Sequence, residues 1–230
     1  MDSSTSKAQL RSHIRSARAD RARAEVGAGS IATVAGGLAG DSPTEVGPDS
    51  VTTVADAAWE LISSRPVRSL LAYAALPGEP DLDPAIDRFL AAGGTVFLPV
   101  VTKVGEPLAF GEVTGSMATL EPQGKWGIRE PQCDTGFLTA EELLSSGVGL
   151  DLIFVPALGF GVDGARLGNG GGFYDRTFGP HGAAPLGQEP RVVGVCFASE
   201  LALTGLVAED WDLRIPAAAT ETGLHTFEPA

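Results

Sequence analysis

Four short apolar runs, separated by stretches with helical patterning, decide what this chain can fold into. They are residues 67–75 (VRSLLAYAA), 95–102 (TVFLPVVT), 150–156 (LDLIFVP) and 191–198 (RVVGVCFA). None alternates strictly between apolar and polar residues, as a strand with one wet face does. Strands apolar along their length are covered on both faces, which is the condition of a parallel sheet in an α/β fold. Helical candidates fall between or before them, at residues 6–25, 51–63, 84–92 and 139–146. Pro84 near the start of the third and Gly93-Gly94 after its end bracket that helix. The irregular stretch 107–131 reads as short antiparallel strands and loops, and the tail 210–227 as a further short strand with loops. The expected architecture is α/β: three layers, a mostly parallel central sheet with helices on both faces, and a small antiparallel sheet. At 230 residues the chain fits one domain, 1–230. Residues 27–50, rich in Gly, Ala, Ser, Pro and acids, read as a flexible or inserted segment.

Composition removes several classes of function. The formal net charge of −13 argues against general binding to DNA or RNA, which needs clustered Lys and Arg to neutralise phosphates. The basic residues are uneven, however: six of the sixteen lie between Lys7 and Arg23. On that first helix Leu10, Ile14 and Ala17 recur at helical spacing as an inward stripe, with Arg on the other faces. Cys133 and Cys196 are two lone cysteines far apart in sequence. They read as reduced core thiols of a cytoplasmic protein rather than a disulfide framework. No CxxC or HExxH pattern suggests zinc. No apolar run approaches the roughly 18 residues a membrane span needs.

The segment 151–178 (DLIFVPALGFGVDGARLGNGGGFYDRTF) carries the most chemistry. A strand leads into a loop in which four of the five residues from Gly168 to Gly172 are glycine, and a helix is expected to start near Phe173 or Tyr174. Glycine lets backbone N–H groups approach a ligand closely, and successive N–H groups aimed into one concavity bind anions. A following helix adds its positive end. Arg166 before the loop can pair with a phosphate in forked geometry. Asp175 after it can bind Mg²⁺, which takes one or two carboxylates plus phosphate oxygens and water. Gly159, Gly161 and Gly164 also spell GxGxxG, but that dinucleotide fingerprint requires a helix to open within the motif, and ARLGNGGG follows instead. No GxxxxGK[ST] is present.

RLGNGGGFYDR (166–176) closely resembles the RLGxGxGYYDR signature of 5-formyltetrahydrofolate cyclo-ligases. The similarity continues in order along the chain. Lys7, Leu10, Arg11, Arg15 and Arg18 resemble that family's opening basic helix. LPGEPD (76–81) resembles its glutamate-bearing loop, FLPVV (97–101) its second strand, WGIREP (126–131) its GIxEP segment, and VGVCFASEL (193–201) with Asp212 its C-terminal part. The resemblance implies an architecture like that of sugar-phosphate isomerases and CoA transferases. It implies ATP- and Mg²⁺-dependent closure of 5-formyltetrahydrofolate to 5,10-methenyltetrahydrofolate by a cytoplasmic monomer acting on small molecules.

Carried over residue by residue, it implies that Lys7, Arg11, Arg166 and Asp175 are catalytic. ATP would be held by Lys7, Arg11, Arg166, Leu167, Gly168, Asn169, Gly170, Gly171, Gly172, Phe173 and Tyr174. Folate would meet Arg11, Ala74, Glu79, Trp126 and Phe173, with Glu79 accepting hydrogen bonds from the pterin edge. Asp175 and Asp212 would bind the metal. Arg15 and Arg18 are expected to be structural or solvent-facing. Phe173 stands where the family often has Tyr, Gly161 where it usually has Asp, and Trp211 where it commonly has His. A non-catalytic nucleotide- or folate-binding relative, or a sugar-phosphate isomerase or acyl-CoA transferase on a similar scaffold, is the alternative.

Overall fold

A computed structural model describes residues 6–32, 52–124, 126–132, 136–187 and 189–228. The first helix, α1 (Lys7–Ala32), is longer than its sequence pattern suggests and runs into the Gly- and Ala-rich segment. The rest of the segment read as flexible or inserted, from residue 33, lies outside the described residues, as does Cys133. The inward face of α1 departs from the expected stripe. Ile14 is buried and Leu10 packs beside it, but Ala17 is exposed and Arg18 is buried in its place. Arg18 can be inside because Glu200 and a backbone carbonyl satisfy it, a partnership local spacing does not reveal.

Next come α2 (Val54–Ser63), β1 (Ser69–Leu71), α3 (Asp83–Ala91), β2 (Thr95–Val100) and β3 (Ala109–Glu112). Thr53 and Asp56 form a capping box that starts α2. Pro84 sits in the first turn of α3. Gly93, at φ 86°, turns the chain out of α3 in a conformation suited to glycine. The small pair β4 (Pro122–Gln123) and β5 (Ile128–Arg129) is antiparallel. Then follow α4 (Ala140–Leu143), capped by Thr139, and β6 (Leu152–Pro156). The glycine-rich region after β6 is not wholly loop, since it contains a two-stranded hairpin, β7 (Gly159–Phe160) with β8 (Arg166–Leu167). The chain finishes with α5 (Phe173–Phe178), β9 (Val192–Val195), β10 (Ala217–Thr220) and β11 (Gly223–Thr226).

The central sheet has seven strands in the order β11-β10-β9-β6-β1-β2-β3. The five inner strands are parallel, and both edges, β11 and β3, are antiparallel. Successive residues of each inner strand point to opposite faces, and both faces are buried. Leu70, Val96, Leu98, Leu152, Phe154, Val193 and Val195 pack with α2 and α3. Leu71, Phe97, Ile153, Val155 and Val192 pack on the other face with α4 and with Phe178 of α5. That double burial explains why the strands read as unbroken apolar runs.

The topology also places the site. β6, β1 and β2 are neighbours, and in parallel strands the segments that follow them emerge at one end of the sheet. The segment after β1 carries Glu79, that after β2 carries Val101, and that after β6 carries the hairpin and the glycine run. Ligands of open α/β sheets bind at this carboxyl end.

Candidate active site

The glycine run Gly168–Gly172 joins β8 to α5 at the protein surface. Gly170 (φ 96°) and Gly172 (φ 65°) adopt left-handed conformations, so the backbone turns there in a way side chains resist. A Cβ on Gly170 would lie 3.5 Å from the Arg11 guanidinium, which marks how closely α1 approaches. The expected helix does open at Phe173, but it is only six residues long. A helix this short adds little dipole at the end of the glycine run. The GxGxxG at Gly159, Gly161 and Gly164 spans the β7–β8 hairpin and opens no helix, in line with its rejection as a dinucleotide motif.

Helix α1 lies across this loop and holds it with side-chain ends. Arg11 Nε donates to Gly168 O at 2.9 Å, and Arg15 donates to Asn169 O at 2.6 Å. Lys7 Nζ contacts Asp212 Oδ2 at 2.5 Å and Glu209 Oε2 at 2.7 Å. Its pKa is raised: burial alone would lower it, but these two carboxylates outweigh burial. Arg18, one turn further on, forms a two-pronged ion pair with Glu200 and donates to Ala157 O. Lys7, Arg11, Arg15 and Arg18 thus share one face, at steps of four, four and three residues.

Beneath the loop, Arg166 is buried. Its Nε donates to Pro156 O at 2.9 Å, its Nη1 lies 3.6 Å from Asp175 Oδ1, and its guanidinium sits 4.8 Å from the Tyr174 ring centroid. A Cβ on Gly168 would come within 2.8 Å of Arg166 Nη1, so only glycine admits this packing without a shift. Leu167 points away into a small cluster with Ile14 and Leu158, and contributes backbone only. The Tyr174 hydroxyl is buried without a hydrogen-bond partner, and burial pushes its pKa well up.

These elements border a cavity of about 680 Å³. Of the residues singled out in the sequence, Ala74, Glu79, Trp126, Arg166, Gly168, Asn169, Gly171, Gly172, Phe173, Tyr174 and Asp175 line it. Its walls are mostly apolar, with Pro99, Val101, Leu108, Ile128 and Leu158 among them, as is common in small-molecule pockets. Trp126 meets Phe173 edge to face with centroids 5.7 Å apart, forming an aromatic corner. Arg129 fixes the strand pair beside that corner by a forked contact with Asp83 at 2.6 and 3.1 Å. Glu79, also in the lining, accepts from Leu76 N at 3.0 Å through one oxygen and from Asn169 Nδ2 at 2.7 Å through the other.

Lys7, Arg11, Leu167, Gly170 and Asp212 lie outside this lining. Asp212 borders a separate hollow of about 340 Å³ with Glu209 and Arg214. Asp212 and Asp175 are nevertheless linked, because Leu213 N donates to Asp175 Oδ1 at 3.2 Å. Among the described residues no group of three His, Cys, Asp or Glu side chains could hold a metal by protein ligands alone.

Sequence reasoning undervalued four residues. Arg15 and Arg18 line the cavity, and their spacing from Lys7 and Arg11 was the available signal. Glu209, the second partner of Lys7, carried none, since the two are 202 positions apart. Asp163, two residues beyond Gly161, pairs with Arg214 and caps Ala165 N, and so stiffens the hairpin turn.

The profile of the 5-formyltetrahydrofolate cyclo-ligase family matches residues 3–221. A 5-formyltetrahydrofolate cyclo-ligase of Mycolicibacterium smegmatis is 37% identical over 131 residues, 55% of this chain and 61% of that protein. The Escherichia coli K12 enzyme of the same name is 29% identical over 168 residues, 71% of this chain and 85% of that protein. In fold, the chain resembles the NMR structure of the Aquifex aeolicus 5,10-methenyltetrahydrofolate synthetase. That match has a TM-score of 0.62 at 20% identity and covers 97% of this chain and 94% of the other. A Mycoplasma pneumoniae 5,10-methenyltetrahydrofolate synthetase superposes with a TM-score of 0.51 at 16% identity, over 73% and 82% of the two chains. The glycine loop, the basic helix across it and the match over nearly the whole length agree: the chain belongs to the 5-formyltetrahydrofolate cyclo-ligase family.

Proposed function

We propose that this protein is a 5-formyltetrahydrofolate cyclo-ligase that uses ATP and Mg²⁺ to form 5,10-methenyltetrahydrofolate, ADP and phosphate. The observation that supports the proposal is one cavity whose lining combines two chemistries. The glycine run and Arg166 line it, with Arg11 on Gly168 just outside, and so do Glu79 and the Trp126–Phe173 corner. Backbone amides and guanidinium groups suit a triphosphate. A carboxylate and aromatic faces suit a pterin, with hydrogen-bond donors on one edge and a flat face.

The chemistry follows from what the formyl group lacks. Its oxygen is amide-like and leaves poorly. Transfer of the γ-phosphoryl group to that oxygen breaks the bond to ADP and makes the oxygen a phosphate leaving group. Folate N10 then attacks the formyl carbon, loses its proton, and phosphate departs to leave the methenyl bridge between N5 and N10. The chain's part is to place the two reactants in line and to balance charge on the transferring group. Arg11, Arg166 and the loop amides would balance charge on the phosphates, and Lys7 would join them by exchanging its carboxylates for phosphate oxygens. Asp175 and Asp212 are the residues that would hold Mg²⁺, which neutralises charge on β- and γ-phosphate oxygens when bound. The Tyr174 hydroxyl, buried without a partner, is a donor available to a ligand.

Ultraviolet absorbance provides the test. Purified protein with Mg²⁺-ATP and 5-formyltetrahydrofolate should generate the methenyl product's absorbance in proportion to ADP released. No product under those conditions refutes the proposal, and product without ATP refutes its mechanism.

A further inference from the structure

Asn169 occupies one of the two positions of the RLGNGGG loop that the family signature leaves free, and its side chain does something its glycine neighbours cannot. Its Nδ2 donates to Glu79 Oε1 at 2.7 Å. Its amide is oriented from the other side, since Arg15 donates to Asn169 O at 2.6 Å and lies 3.4 Å from Asn169 Oδ1. A guanidinium facing Oδ1 leaves Nδ2 to face the carboxylate. Glu79 in turn is fixed by Leu76 N on Oε2, so Oε1 is the oxygen free to recognise something else. All three side chains line the same cavity, and they come from three separate segments: α1, the glycine loop, and the turn after β1.

We infer that Asn169 is a positioning residue that stands in for the folate at Glu79. Its amide N–H₂ occupies the place of a pterin amino group, and folate must displace it to bind. This inference rests on the proposed cyclo-ligase activity. It adds that Asn169 joins the phosphate loop to the pterin-binding carboxylate. Folate that takes Glu79 releases Asn169, and with it one tether of the glycine loop. A nucleotide that draws the loop away from Glu79 removes a competitor of folate. Coupling between binding sites is reciprocal, so each ligand raises the other's affinity by the same factor.

The experiment is calorimetric titration of 5-formyltetrahydrofolate into wild type, Asn169→Ala, Asn169→Ser, Arg15→Gln and Glu79→Gln, without nucleotide and then with a non-hydrolysable ATP analogue. Without nucleotide, N169A and N169S bind folate about three- to tenfold more tightly than wild type, the span that a typical net hydrogen bond gives at a solvent-exposed position. R15Q shows a smaller gain, because the amide is then less well oriented. The synergy between analogue and folate shrinks in N169A. If Asn169 instead contacted folate directly, its loss would weaken binding, which makes the sign of the change decisive. Unchanged or weaker folate binding in both N169A and N169S overturns the inference. If N169A is poorly folded, N169S, also too short to reach Glu79, provides the reading. Wild type and E79Q keep the two ideas apart. A wild type that binds no folate defeats the cyclo-ligase reading itself, whereas a wild type that binds and an N169A that gains nothing defeats only this inference.

Discussion

Replacing Arg18 with Met tests how α1 is held against the body of the protein. Arg18 and Glu200 side chains are each only 5% exposed. Arg18 Nε and Nη2 reach the two carboxylate oxygens at 2.8 and 2.7 Å, and Nη2 also donates to Ala157 O at 2.8 Å. Met removes the charge and leaves Glu200 ionised in the interior. Breaking one side of a buried pair costs about 3–5 kcal/mol. The lower end applies here, because Phe197 N still donates to Glu200 Oε2 and Arg21 Nη1 stands 3.9 Å from Oε1. For a chain of this size each kcal/mol moves the midpoint by about 2–4 °C, so a loss of about 3 kcal/mol lowers Tm by about 6–12 °C. Thermal and urea unfolding of R18M, E200L and R18M/E200L measure it. The double variant no longer buries a lone charge and should regain at least about 1 kcal/mol over R18M, although Ala157 O and Phe197 N lose partners. A loss below about 1 kcal/mol in R18M, or a double variant less stable than R18M, refutes the argument that an uncompensated charge sets the cost.

Asp175→Ala should abolish turnover while leaving a cooperative unfolding transition, lowered by about 1 kcal/mol for the hydrogen bond lost from Leu213 N; circular dichroism and product absorbance read the two effects separately. Gly172→Ala forces a side chain into a backbone with φ 65° and against Arg176 Nη1 at 2.7 Å, which should cost about 1–2 kcal/mol and weaken binding of an ATP analogue in titration. The pKa of Asp151 is lowered, chiefly by the Arg68 N–H it accepts at 2.8 Å. A depressed carboxylate contributes stability that is fully present above its unfolded pKa, near 3.8, and is lost as pH falls through the folded value. Asp151→Asn should therefore lower Tm at pH 6 and flatten its decline below about pH 4; parallel melting curves for variant and wild type disprove the assignment.

The sheet was legible because its inner strands are buried on both faces, so that Leu152, Ile153, Phe154 and Val155 had to form an unbroken apolar run. The glycine loop was legible because Gly170 and Gly172 need backbone angles that other residues resist. What escaped were partnerships made across long sequence distances. Ala17 fitted a helical stripe better than Arg18 did, and only Glu200, 182 positions away, makes the arginine the inward residue. The β7–β8 hairpin was hidden because Gly159, Gly161 and Gly164 suggest a loop. Its pairing is set instead by Phe160 and Leu167, both fully buried, and by the turn that Asp163 caps. The Lys7 contact with Asp212 and Glu209 had no local signature either.

The order of strands in the sheet has a consequence for how the protein is made. The turn with Glu79 follows β1, whereas the glycine run follows β6, close to ninety residues later. Asp212 comes later still, and α1, whose Lys7, Arg11 and Arg15 reach Asp212 and the glycine run, precedes them all. No short stretch of nascent polypeptide therefore carries the whole of the proposed site. A protein cut between β2 and β6 should be inert as either fragment and regain turnover only when both are mixed and reassemble.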